Sequence, residues 1–201
     1  MTPALLIFIK NSEKGKVKTR LAKTVGDDTA LAIYKALLAH TRQVALAVAG
    51  TRYLFYSQYI PPQDDWSATD FQKQLQAEGA LGYKMTKAFE TAFQQHQRVV
   101  IIGSDCASLT PAIITKAFQQ LEKQDFVIGP AMDGGYYLLG MNQFQPRVFE
   151  NIIWSTETVL QRTIDRITEL KGSYFLLPTL SDIDYAEDWE KHRGELRIVT
   201  D

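Results

Sequence analysis

Disulfide chemistry is closed to this chain. Cys106 is its single cysteine, so no intrachain bridge can form, which suits a reducing compartment such as the cytoplasm. A surplus of positive charge is missing too. Lysine and arginine number 22 against 23 aspartates and glutamates, which argues against a surface that coats nucleic acid and confines any basic site to a local cluster. There is no G-x-x-x-x-G-K-[ST] sequence, and no G-x-G-x-x-G follows the first strand. The N-terminus lacks both a basic start and an apolar core long enough for a secretory signal, since Lys10 interrupts it early. No internal repeat, low-complexity tract or linker divides the chain. What is present, 45% apolar and 22% charged residues over 201 positions, excludes disorder and membrane spanning and predicts one soluble domain over residues 1–201.

The order of elements follows from apolar spacing. Ala4 to Ile9 reads as a buried strand, Asp27 to Ala49 as a long helix with an acidic start, and Arg52 to Tyr56 as a short aromatic strand. Gln58 to Thr69 is a loop, and Asp70 to Gly82 fits a short helix or an extended piece equally. Leu81 to Gln95 is a helix, Val99 to Gly103 a strand, Thr110-Pro111 a helix start, and Phe126 to Gly129 the next strand. Gly134 to Met141 and Ser173 to Leu177 are further strands flanking a helix over Thr156 to Lys171. A loop from Leu180 then turns into a helix near Trp189, and a polar tail ends in Arg197-Ile198-Val199. Alternation of this kind predicts an α/β fold whose parallel strands are joined by right-handed crossovers.

Four clusters stand out. The continuous run Val99-Val100-Ile101-Ile102 suits a strand buried on both faces, and Asp105 follows it at the edge where open α/β sheets bind ligands. Thr110, beside Pro111, is the better helix cap, which leaves Asp105 free for a hard divalent cation. Between Lys10 and Arg20 the loop crowds five cationic side chains around Gly15. Lys16, Lys18 and Arg20 alternate, so an extended loop projects them to one side as a phosphate site; the bland alternative is a solvated surface loop. Asp182 and Asp184 point the same way in an extended loop and can complete a metal site, or they, Glu187 and Asp188 simply precede a helix N-terminus. Asp133-Gly134-Gly135-Tyr136-Tyr137 offers a close backbone approach and rings for a sugar, or serves only as a hairpin entry. Cys106 reads as a small buried residue, and His40, His96 and His192, on expected helix surfaces, form no ligand spacing.

The segments Lys14-Gly15-Lys16-Val17-Lys18-Thr19-Arg20-Leu21, Gln76 with Gly79 and Leu81-Gly82, Gly103-Ser104-Asp105-Cys106, Gly129 to Gly140, Trp154-Ser155-Thr156, and Asp182-Ile183-Asp184 with Glu187-Asp188 appear in an order that resembles DUF2064. This is a bacterial family of proposed glycosyltransferases first known as a domain of unknown function. More distantly the chain is similar to nucleotidyltransferases that activate sugars and cofactors. The resemblance implies a three-layer α/β/α, Rossmann-like GT-A fold, that of nucleotide-diphospho-sugar transferases, with a mixed, mostly parallel sheet.

It also implies roles. Asp105 and Asp184 would hold Mg²⁺ or Mn²⁺, while Lys10, Gly15, Lys16, Lys18, Arg20 and Gln76 would bind the nucleotide and its phosphates. Asp105 and Asp133 would be catalytic, and Gly134, Gly135, Tyr136 and Trp154 would meet the sugar or acceptor. Many members carry Gly-Glu-Arg-Met where this chain has Gly82-Tyr83-Lys84-Met85, and a proline where it has Ala107. The activity expected is metal-dependent glycosyl transfer from a nucleoside diphosphate sugar to a small-molecule acceptor. The alternatives are nucleotidyl transfer with pyrophosphate release, and nucleotide binding without catalysis.

Overall fold

The computed structural model describes residues 2–196; the expected C-terminal tail at Arg197-Ile198-Val199 lies outside the described residues. Seven strands form one mixed sheet: β1 (Ala4–Ile9), β2 (Thr51–Tyr56), β3 (Gln72–Leu75), β4 (Val99–Ile102), β5 (Phe126–Pro130), β6 (Tyr136–Met141) and β7 (Tyr174–Leu176). Their spatial order is β3-β2-β1-β4-β6-β5-β7. All run parallel except β6, which pairs antiparallel with both β4 and β5. The helices are α1 (Thr19–Val25), α2 (Asp27–Leu46), α3 (Leu81–Phe93), α4 (Pro111–Gln120), α5 (Val159–Glu169) and α6 (Ala186–His192). Among the described residues no helix is long and apolar enough to cross a membrane.

Alternate residues of β1 feed two different cores, as the period of two requires. Leu5, Ile7 and Ile9 pack with Val44 and Ala45 of α2 and with Ile114 and Phe118 of α4. Ala4 and Leu6 face the other way, joining Met85 and Phe89 of α3 and Ile167 of α5. The three layers follow from that division. Each fully buried Leu or Ile here contributes roughly 1.5–3 kcal/mol relative to exposure.

Two stretches depart from the sequence expectation. Thr19–Val25 forms a short helix that the sequence does not predict and that takes in the end of the expected Lys10–Arg20 loop, because Leu21 is buried against Ile33 and Leu37 of α2. Gln72–Leu75 resolves the ambiguity before α3 as an edge strand paired with β2, its side chains half-exposed or exposed. The loop before it is lashed down by Asp64, which accepts from Lys73 Nζ (2.7 Å), from the Trp66 amide (2.8 Å) and from the Tyr56 hydroxyl. His96 is buried rather than on a surface, with Nε2 3.1 Å from the Tyr53 hydroxyl and Nδ1 2.8 Å from the Thr2 carbonyl oxygen. Thr110 caps α4 as expected, its hydroxyl accepting from the Ile113 amide.

The C-terminal segment is carried to the carboxyl edge of the sheet by backbone pairing. The Tyr137 hydroxyl donates to the Pro178 carbonyl oxygen (2.9 Å), the Leu180 amide donates to Pro130 (3.0 Å), and the Met132 amide donates to Leu180 (3.0 Å). Ile183 is the final anchor. Its amide donates to the carbonyl oxygen of Asp105 (2.9 Å), and its fully buried side chain joins Leu21, Ile33, Leu37 and Ala107 in a third cluster between α1 and α2.

Ile183→Ala should therefore lower the unfolding free energy by about 2–5 kcal/mol, the range for a buried large-to-small change, read as a fall in the chemical-denaturation midpoint. A second expectation concerns acid. Burial pushes the Asp64 carboxyl up, but Lys73, the Tyr56 hydroxyl and the Trp66 amide outweigh it and hold its pKa below the ordinary carboxylate range. As pH falls, the unfolded chain takes up this proton first. The stabilisation is thus intact above a pH of about 4 and is lost as pH drops through the folded pKa. Asp64→Asn should be less stable near neutrality and lose stability less steeply on acidification, measured by thermal unfolding across pH.

Candidate active site

Every loop that the sequence singled out leaves the same edge of the sheet, the carboxyl ends of the parallel strands, where α/β folds bind ligands. After β1 the chain is held by Tyr34 of α2, whose hydroxyl accepts from the Lys10 amide (2.8 Å) and donates to the Lys10 carbonyl oxygen (3.0 Å). A turn at Gly15 (φ +74°) follows, and Lys18 then adopts a left-handed conformation (φ 49°, ψ 41°) immediately before α1. That geometry overturns the even alternation expected of an extended loop. Lys14 pairs with Asp28 (2.7 Å), and Lys16, 61% exposed, pairs with Glu13 (2.5 Å). Lys18 and Arg20 alone turn toward the carboxylates.

Lys18 is the centre of the arrangement. Its side chain is 4% exposed, and Nζ lies 2.5 Å from Asp105 Oδ1 and 3.4 Å from Asp184 Oδ1. Arg20 Nη1 donates to the other oxygen of Asp184 (3.3 Å), and its guanidinium sits 5.9 Å from the centre of the Tyr185 ring. Burial pushes the Lys18 pKa down, but Asp105 and then Asp184 and Asp182 outweigh it, so the ammonium stays charged. Asp182, partly buried beside them, behaves in the opposite sense: burial and then the charge of Asp105 push its carboxyl up to about 7, Lys18 offsetting part of the rise. Asp133 adds to the same negative field.

Asp188 lies outside this field's chemistry. Its carboxylate accepts from the amides of Asp184 and Tyr185 (3.2 and 2.9 Å) at the start of α6, the ordinary helix-end role. The two readings of the acidic run are therefore both realised, by different residues. Asp184 faces the basic side chains, and Asp188 satisfies the helix.

The hairpin between β5 and β6 borders the carboxylates. Exposed Asp133 accepts from the Gly135 amide (2.9 Å), and Gly134 (φ +86°) lies so close to α5's lead-in that an added Cβ would stand 2.1 Å from the Glu157 carbonyl oxygen. Its glycine is required by packing as well as by backbone conformation. The tyrosines that follow do not reach the carboxylates. Tyr136 packs with the α3 and α5 core, its hydroxyl against the Met85 sulfur (3.9 Å), and Tyr137 lies across Gly129 to reach Pro178. Trp154 lies on Gly82 of α3 and beside Phe149, a packing role that any side chain at position 82 would block. Gln76 donates from Nε2 to the carbonyl oxygens of Ile9 (3.0 Å) and Phe55 (3.2 Å), tying off β1 and β2 at this edge. Buried Cys106, its thiol pushed up to about 12 by burial, is no nucleophile.

Sequence reasoning missed two contributors, Tyr34 and Ile183. A signal for Ile183 existed in the apolar residue placed between two aspartates. Nothing in the sequence marks Tyr34 beyond its helical spacing. Among the described residues no group of three or more His, Cys, Asp or Glu side chains is arranged to hold a metal ion. Asp105 and Asp184 nevertheless converge on one cationic atom, and two carboxylates plus water and phosphate oxygens are a donor set that Mg²⁺ or Mn²⁺ accepts.

Comparison with known proteins agrees with the architecture. Residues 35–156 match DUF2064, described as an uncharacterized protein conserved in bacteria. A crystal structure from Desulfovibrio desulfuricans G20, named a "putative nucleotide-diphospho-sugar transferase", is 32% identical with a TM-score of 0.83, covering 92% of this chain and 84% of that one. The 2-C-methyl-D-erythritol 4-phosphate cytidylyltransferase of Thermus thermophilus is 11% identical (TM-score 0.60; 96% of this chain, 98% of that one). A manganese complex of Rv0371c from Mycobacterium tuberculosis H37Rv is 10% identical (TM-score 0.55; 95% and 97%). At those two low identities the likeness speaks for the fold alone. No curated protein sequence matches the chain. The sequence match over most of the chain and the 32% identical structure lead to one conclusion: the chain belongs to the DUF2064 family and has the α/β fold of the nucleotide-diphospho-sugar transferases.

Proposed function

We propose that the carboxyl edge of the sheet is the active site of a metal-dependent glycosyltransferase that takes a nucleoside diphosphate sugar and a small-molecule acceptor, acting in the cytoplasm as one domain over residues 1–201. The observation that carries this reading is the convergence of Asp105 and Asp184 with Lys18 and Arg20 at a single point of the edge. Two carboxylates facing a buried ammonium and a more exposed guanidinium suit a ligand that is itself a polyanion with a cation attached. The name given to the 32% identical Desulfovibrio protein supports the same reading.

Asp105 and Asp184 would hold Mg²⁺ or Mn²⁺, hard cations that prefer such oxygens. When bound, the ion supplies neutralisation of the negative charge that gathers on the leaving diphosphate. Lys18 and Arg20 contribute donors to the phosphate oxygens, Arg20 with the planar fork that grips two oxygens together. Asp133 keeps one oxygen on the Gly135 amide, which fixes the carboxylate and leaves the other oxygen to accept from a sugar or acceptor hydroxyl. Gly134 lets the hairpin lie against the Glu157 backbone, and Gly135 leaves room for the Asp133 carboxylate. Tyr136 and Trp154 receive no role, because their rings are committed to packing against α3.

The assay follows the bond that breaks. Incubation with nucleoside diphosphate sugars and acceptors should release nucleoside diphosphate together with a glycosylated product. Release of pyrophosphate from a nucleoside triphosphate without sugar transfer would replace this reading with nucleotidyl transfer. Asp105→Asn should lower kcat by on the order of 10²-fold or more, the loss typical of a central electrostatic group. Lys16→Ala should change kcat/KM by about twofold at most, since an exposed ion pair carries little energy, whereas Arg20→Ala should raise KM for the donor.

A further inference from the structure

The two cation-binding carboxylates are already engaged. Lys18 Nζ holds Oδ1 of Asp105 and Oδ1 of Asp184, while Arg20 holds Oδ2 of Asp184, so both oxygens of Asp184 face a protein cation. Arg20 is 59% exposed and can withdraw into water at little cost. Lys18 cannot. Its side chain is 4% exposed, Leu21 three residues on is fully buried, and the left-handed backbone at Lys18 fixes the direction in which the side chain leaves the chain.

We infer that Lys18 is a tethered counter-cation that makes metal binding and diphosphate binding interdependent at this site. The inference rests on the proposed metal-dependent function and deepens it. A divalent ion shared by Asp105 and Asp184 would sit beside the ammonium that already contacts one oxygen of each, and two cations on one pair of carboxylates repel. Displacing the ammonium alone leaves a buried positive charge without a partner, an arrangement that is strongly unfavourable. An incoming diphosphate removes that obstacle by supplying anionic oxygens to Lys18 as the carboxylates turn to the metal. Metal without nucleotide, and nucleotide without metal, each meet a site already neutralised from within. By linkage, each ligand raises the affinity for the other by the same factor.

Lys18 is thus assigned a task that a plain phosphate-binding lysine does not have. It holds Asp105 and Asp184 close together before any ligand arrives, and it denies the site to a free divalent ion. A positively charged residue at position 18 should preserve this behaviour, whereas a neutral one of similar length should abolish it.

The test reads Mn²⁺ binding directly, by the loss of the free-ion electron paramagnetic resonance signal, and requires no turnover. For the unaltered protein, Mn²⁺ alone should bind weakly, and UDP or GDP should tighten it by about tenfold or more, within the usual range of coupling between sites. Lys18→Met should bind Mn²⁺ alone about tenfold more tightly than the unaltered protein and gain much less from nucleotide, with coupling of this size being the quantity at issue. Lys18→Arg should behave like the parent, and Lys18→Gln replaces Lys18→Met if the latter does not fold. Mn²⁺ binding by the neutral variants no tighter than by the parent would overturn the inference while leaving a metal-dependent enzyme in place. Absence of Mn²⁺ binding in every variant, with or without nucleotide, would overturn the proposed function and this inference together.

Discussion

The geometry of the carboxyl edge depends on one buried side chain that carries no chemistry, Ile183. Its methyl groups lie in the cluster between α1 and α2, and its amide holds the carbonyl oxygen of Asp105. That single residue therefore joins the loop after β4, the helix that follows the basic loop, and the C-terminal segment. The flanking aspartates are sorted by it. With Ile183 directed inward, Asp184 meets Lys18 and Arg20, whereas Asp182 remains partly enclosed and tends to retain its proton. Two aspartates on one loop in water would be pushed apart by mutual repulsion; an apolar anchor between them overcomes that tendency.

The buried lysine is the electrostatic counterpart of that anchor. Four aspartates at one edge, Asp105, Asp133, Asp182 and Asp184, would repel each other, most of all at the enclosed Asp182. Lys18 and Arg20 offset the repulsion locally, which is why a chain with a formal net charge of −1 can concentrate charge of both signs in one place. The cost of burying an ammonium is met by direct contact with carboxylates, and the strained backbone at Lys18 is held by the helix that begins just after it.

Much of the sheet was legible because strands buried on both faces leave continuous apolar runs, as Val99–Ile102 and Phe126–Pro130 do. The Thr110 cap and its proline were equally readable. What escaped was set by tertiary context. Thr19–Val25 is a weak helix by itself, seven residues with a single buried side chain, and it forms because α2 offers Leu21 a surface. Gln72–Leu75 has no apolar alternation, since only its backbone is needed at an edge. The tyrosines after Asp133 looked like ligand contacts because their strand was read without its neighbours. With β4 on one side and β5 on the other, β6 is an interior strand, and Tyr136 and Tyr137 enter one core each. The carboxylates themselves were legible from position, whereas the division of labour within the basic loop was not, because it turns on one left-handed residue.

The reversed direction of β6 has an architectural consequence. Had it run parallel to its neighbours, a crossover would have been needed to reach it, and the turn after β5 would have led away across a face of the sheet. Reversal keeps the connection at the edge where β4 ends, so Asp133 and its glycines stand beside Asp105 with only a few residues of chain between the two strands. The wall of the cleft on that side is a hairpin tip, separate from the loop that holds Lys18 and tied to α5 where the Leu160 amide donates to the Gly134 carbonyl oxygen (2.8 Å). A longer or differently composed tip could reshape what the cleft admits while the charged floor stays as it is.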